Sequence, residues 1–312
     1  MISNISYFDE LLDAGNEEFE FIFRSLLNDE NETLYELVKE NTPAFYEPLL
    51  SSYYNPKLER RYSIEQIMYG YIEDEEFKKN NYIAVKSDNS GIVYLPKIGY
   101  FYTQTKTSDF FIKLNENGHY ELYTENKDIV SCKFQPVQFL SGSDIEINFD
   151  TNAIIDQFFV EQDSPKLIKE SAEKYREPLE KALNLIRTEF PFFYEWLENT
   201  VTNIVLFESS QRNSFASMFI KGAAFINVIN QKPNEIFFIE EITHQCGHVV
   251  FYPMSIDRQK LFTCDCETPM SHFTGIEADD RDVLNAYYAF FPQLFGDLIF
   301  DMCLEHNLIK DE

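Results

Sequence analysis

The stretch FIEEITHQCGHVVF, residues 238–251, decides how the chain is read. Wound at about 100° per residue, it puts Glu241, His244, Gln245 and His248 on one face. Ile239, Ile242, Cys246, Val249 and Val250 fall on the opposite, apolar face. Imidazoles at i and i+4 project to neighbouring positions, where both can share one transition-metal ion. The alternative is two surface histidines that happen to be four apart. Against it, the chain has five histidines, and three of them, His244, His248 and His272, fall between residues 244 and 272. Gly247 costs about 1 kcal/mol inside a helix, which is tolerable if another element approaches its backbone.

The residue after His244 is Gln245, where a zinc peptidase carries a glutamate. Hydrolysis needs a base to take a proton from metal-bound water, and an amide cannot accept it. An Fe(II) oxygenase asks less of that position, because two histidines and a carboxylate leave coordination sites open. Gln245 would then hydrogen-bond a ligand or substrate, and Glu241 would orient a histidine or stand as a surface acid.

A third ligand is expected from TGIEADDRDVLNAYYAFF, residues 274–291. Glu277 is the first choice because its side chain can reach from the first turn, although Thr274 and Glu277 also scan as a capping box. Asp282 and Asn285 are its rivals. A co-substrate carboxylate calls for a cation, and Arg281, Arg212 and Lys221 are the candidates, Arg281 first. Cys264 and Cys266, in CDC, read as loop cysteines, and His119 and His306 as surface residues.

Around the motif the chain falls into zones. Residues 7–77 carry helical spacing, and residues 82–149 carry short β-rich runs, with NENG (115–118) marking a hairpin. A helix opening at Ser164-Pro165 follows, then strand-like runs over 201–209 and 214–230. A last helix is expected over about 275–308, bent near Pro292. The fold class is α+β: residues 1–150 form a helical then β-rich recognition region, and residues 151–312 a metal-binding domain.

The 44% hydrophobic content, with 16% aromatics, gives ample material for a core. A net charge of −27 argues against a nucleic-acid partner and suits a cationic peptide or protein partner. No apolar run reaches the roughly 18 residues of a membrane span, so no membrane is expected. An odd cysteine count and an N-terminus without signal-peptide features point to a reduced, cytoplasmic protein.

Residues about 170–305 resemble the HExxH-motif peptide-modification proteins. These include the 2-oxoglutarate-dependent HExxH-type peptide β-hydroxylases of ribosomal peptide biosynthesis. The likeness rests on NSFASMFIKGAAFINV, on EEITHQCGH and on RDVLNAYYAF. His244 and His248 match the motif histidines. Gln245 departs from its glutamate, and Asn285 stands where many members have histidine. The resemblance implies a zincin-like domain using Fe(II) and 2-oxoglutarate to hydroxylate a peptide side chain. A leader segment would be held by the N-terminal region. Zinc-dependent hydrolysis and peptide binding at a degenerate metal site are the alternatives.

Overall fold

The computed structural model describes residues 5–150, 152, 155–159 and 168–305. The Ser164-Pro165 cap, His306 and the expected helix end at Leu308 lie outside them. The fold is α+β.

The N-terminal helices are α1 (Ile5–Glu30), α2 (Glu32–Val38), α3 (Pro48–Tyr53), α4 (Ile64–Met68) and α5 (Glu75–Asn80). Asn31, Glu47, Ser63 and Asp74 each cap the following helix with a side-chain oxygen. Then come β1 (Ile83–Lys86), β2 (Ile92–Leu95), β3 (Gly99–Tyr102), β4 (Asp109–Leu114), β5 (Tyr120–Tyr123) and β6 (Lys133–Pro136). They form two antiparallel sheets, ordered β1-β4-β5 and β2-β3-β6. The β4–β5 hairpin turns through NENG. Asn115 Oδ1 accepts from the amides of Asn117 and His119, both at 2.9 Å, and Gly118 takes a φ of +77°.

A third sheet positions the motif. It joins β7 (Glu146–Ile147), β8 (Asn203–Phe207), β9 (Phe215–Ala216) and β10 (Ala223–Asn227) in the order β7-β8-β10-β9. The first three in that order run parallel and β9 closes the edge antiparallel. The continuous apolar run of β8 is buried at every position, as in a sheet covered on both faces. The strand expected over 214–230 is two strands, because Ser217–Gly222 turns back and Gly222 sits at φ +93°.

After β7 come α6 (Ile168–Glu189) and α7 (Pro191–Glu198), broken at Phe190-Pro191. The motif helix runs through α8 (Glu235–Glu241), a π-helical turn (Ile242–Cys246) and α9 (Gly247–Met254). Short α10 (Arg258–Leu261) and α11 (Ser271–Thr274) precede α12 (Val283–Glu305). The last helix thus starts eight residues later than the sequence suggests. Gly275, at φ +70°, ends α11, and Asp282 Oδ1 accepts from the Asn285 amide at 2.7 Å as the cap of α12. The Thr274 hydroxyl instead faces its own turn, bonding the Met270 carbonyl and the Ile276 amide.

One core runs through all of this. α1 lies on α9 so closely that a Cβ on Gly15 would meet the Pro253 carbonyl oxygen at 2.0 Å. Phe8 of α1 packs edge-on against Trp196, Phe291 and Phe295. Because β7 pairs with β8, the change of pattern near residue 150 falls inside a shared sheet.

Candidate functional site

The π turn is where the sequence placed its chemistry, and its cause is local. Thr243 is fully buried, and its hydroxyl reaches the carbonyls of Ile239 (2.8 Å) and Glu240 (2.9 Å), competing with the α-helical ladder. The wider turn inserts one residue into the helical phase, a device common at functional sites. α12 holds it in place. Pro292 lies 3.0 Å from where a Gly247 Cβ would be, and the Thr243 hydroxyl 3.3 Å from a Gly296 Cβ. Gly247 is therefore the close-approach glycine that its helix-breaking cost suggests.

His244 and His248 stay neighbours despite the phase change. Their rings stand edge-to-face with centroids 5.0 Å apart. His248 stacks on Tyr288 at 4.3 Å, Tyr288 stacks on Tyr252, and the two tyrosine hydroxyls are hydrogen-bonded. Burial lowers the His244 pKa, opposed by Glu240. Burial, then the neighbouring His244, pushes His248 down to about 4. Both shifts favour the neutral ring, the form that ligates metals. His248 Nδ1 is buried and has no hydrogen-bond partner among the described residues.

Gln245 is buried, and its Nε2 donates to Glu241 Oε2 at 3.5 Å. Burial raises the Glu241 pKa, while hydrogen bonds from Ser214 and Gln245 oppose the rise. Glu241 is thus engaged with Gln245 and Ser214 rather than with a histidine.

Of these side chains Glu241, His244 and Gln245, but not His248, open onto a cavity of about 820 Å³ where the ends of β8 and β10, the motif helix and α12 meet. Arg212, Ser214, Glu241, His244, Gln245 and Asp297 are among its walls. The loop after β8 is fixed by Asn227. Its Nδ2 donates to the carbonyls of Ser209 and Arg212, both at 2.6 Å, and its Oδ1 accepts from the amides of Ser209 and Ile229. That loop carries Arg212, whose guanidinium lies 4.0 Å from the Phe215 ring centroid.

The other candidates stand apart. Glu277 lies in an exposed turn. Arg281 is bonded to Asp279 through two contacts, at 2.8 and 2.9 Å, and borders a different groove. Asp282 and Asn285 are occupied in capping α12. Lys221 is buried elsewhere, with its ammonium 4.0 Å from the Phe19 ring centroid, 4.9 Å from that of Tyr46 and 3.5 Å from Asn16 Oδ1. Cys264 is exposed, and Cys266 accepts from Arg258 at 3.7 Å.

Among the described residues, no three His, Cys, Asp or Glu side chains converge as a ligand set. The two imidazoles and the unpartnered Nδ1 suit part of a metal site. Among the described residues, no carboxylate completes a two-histidine iron centre with them. The donor set does not fit the whole group.

No family model and no curated protein matches the chain.

Asn227 and Asp297 escaped the sequence reading. Asn227 had one signal, a polar residue closing the apolar run AAFI. Asp297 had a weaker one, its four-residue spacing from Gln293, to which it is bonded at 2.7 Å.

Proposed function

We propose that this chain binds an extended, basic segment of a peptide or protein, inserting a lysine or arginine side chain into the 820 Å³ cavity. The carrying observation is the cavity wall. Glu240, Glu241 and Asp297 bring carboxylates to it, while Arg212 is drawn against the Phe215 ring. The net charge of −27 steers such a partner at long range. Edge strand β9 borders the π turn and, among the described residues, has a strand partner on one side alone, which suits main-chain pairing with a peptide. We read the sheet of β8, β10 and edge strand β9, together with the motif helix, as zincin-like, with His244 in one wall of the site.

The test is a peptide array probed with the purified chain at low and high salt. Basic peptides should bind, weaken with added salt, and lose at least tenfold in affinity with Asp297→Lys. Equal binding of acidic peptides, or indifference to Asp297→Lys, sinks the reading.

One pair of observations favours a second reading, the metal-dependent oxygenase. The imidazoles of His244 and His248 are adjacent, and His248 keeps a buried nitrogen without a partner among the described residues. In that reading the two histidines would hold Fe(II), and 2-oxoglutarate would enter the cavity as co-substrate. Elemental analysis after expression separates the readings. Iron, with succinate formed from 2-oxoglutarate, supports the oxygenase. Zinc with peptide cleavage supports a hydrolase. No retained metal leaves the binding reading.

A further inference from the structure

An apolar groove of about 650 Å³ runs beside the polar cavity, lined in part by Met270, Phe273, Val283, Tyr287 and Phe290. The two share Gln293 of α12 as a common wall. Large exposed apolar residues scattered singly are ordinary on any protein, but here they converge. Phe273 and Phe290, each 54% exposed, border the same groove. Its one bordering cation among the described residues, Arg281, is already bonded to Asp279. The groove therefore offers apolar surface with little net charge, next to a cavity walled by carboxylates.

We infer that the groove is a second subsite for the same ligand, taking a bulky aromatic or aliphatic side chain of the peptide whose basic residue fills the cavity. This rests on the peptide-binding reading above and adds a specificity to it. The spacing follows from α12. Phe290 and Asp297 are seven residues apart, about 10 Å along the helix axis. An extended peptide covers that span in about three residues. The preferred segment thus carries its apolar anchor two to four residues from its lysine or arginine. A rigid ring in an apolar pocket beside a charged contact is a common pattern in peptide recognition.

The test uses a display library of random twelve-residue peptides panned against the full chain. The best-enriched peptide is then synthesised with a fluorescent label. Phe290→Asp and Phe273→Ser alter exposed side chains, so both variants should keep the parent melting temperature. The enriched peptides should pair a large apolar residue with a basic one at that spacing. Phe290→Asp should weaken binding at least tenfold. Replacing the peptide's apolar residue by alanine should cost the parent protein the same factor and cost Phe290→Asp almost nothing.

Other outcomes overturn the inference in distinguishable ways. Peptides that lose affinity with Asp297→Lys but not with Phe290→Asp remove the groove and leave the cavity reading. Peptides sensitive to Phe290→Asp alone remove both, since one ligand must span the two subsites. The absence of any enriched peptide also removes both. A dimer that Phe290→Asp converts to monomer would show the groove to be a contact between copies, and would overturn the subsite.

Discussion

Two clusters of buried polar side chains differ in how completely they are satisfied. At the seam between the N-terminal helices and the third sheet, Glu47 accepts from the Leu49 amide (3.1 Å) and the Tyr71 hydroxyl (2.5 Å). Glu146 of β7 accepts from Tyr94 and Tyr100 at 3.3–3.4 Å. Tyr100 accepts in turn from Asn148, and Asn148 from Asn203. At the π turn, by contrast, the Gln245–Glu241 contact is stretched to 3.5 Å and His248 Nδ1 has no described partner. Buried polar groups are ordinarily bonded. The seam spends its bonding capacity on the fold, whereas the site keeps some in reserve. That reserve is what a ligand can use.

The contrast can be broken most easily at Glu146. Glu146→Ala removes the acceptor for two buried tyrosine hydroxyls and opens a void, and should cost about 4 kcal/mol in urea unfolding at pH 5. A loss below about 1 kcal/mol would show that the seam is not a closed network.

Proton linkage at the same residue gives the next largest effect. Burial, then the nearby Glu47 carboxylate, raises the Glu146 pKa to about 8. A folded-state pKa above the unfolded one means the stabilisation is complete below the unfolded value, 4.5. It is then lost as pH rises through the folded value. Between pH 5 and 8 the protein should therefore lose about 3 kcal/mol of stability. Glu146→Gln keeps the neutral shape and should flatten that profile. A parallel slope in both proteins would place the linkage elsewhere.

At the site the expected costs shrink. Asn227→Ala frees the loop after β8 and should cost about 2 kcal/mol, while weakening peptide binding more than the stability loss explains. His248→Phe replaces a ring with an unpaired nitrogen by an apolar ring of similar size. Its melting temperature should stay level, or its stability should rise by about 1 kcal/mol. A loss as large as that of Glu146→Ala would mean His248 belongs to the fold as fully as the seam does.

The elements that the sequence reveals are those governed by local chemistry. The β4–β5 hairpin follows from Asn115 and Gly118, which satisfy their own turn whatever surrounds them. The apolar stripe from Ile239 to Val250 predicts the buried face, because periodicity is a local property. The start of α12 was misplaced because two caps compete there. Thr274 and Glu277 fit the capping pattern, yet Gly275 ends the preceding turn and Asp282 takes the cap. Thr274 and Asp282 are equally plausible caps in one dimension. The π turn has no sequence signature beyond a threonine able to bond backward, and the helix α12 that lies against it comes from a distant part of the chain. The histidine pair was legible for the same local reason as the hairpin. Asn227 and Asp297 were not, since each acquires its place from chain segments far away in sequence.

The pairing of β7 with β8 carries one more consequence. A break in the polypeptide between residues 150 and 168 would leave each fragment with an unfinished edge that its counterpart completes. Fragments 1–159 and 160–312, which keep the buried Phe158 and Phe159 with the first half, should when produced together reassemble like the halves of a split reporter, and either one alone should aggregate. The two halves of the chain are then not modules joined by a tether, but share one sheet whose outermost ribbon arrives from the opposite half.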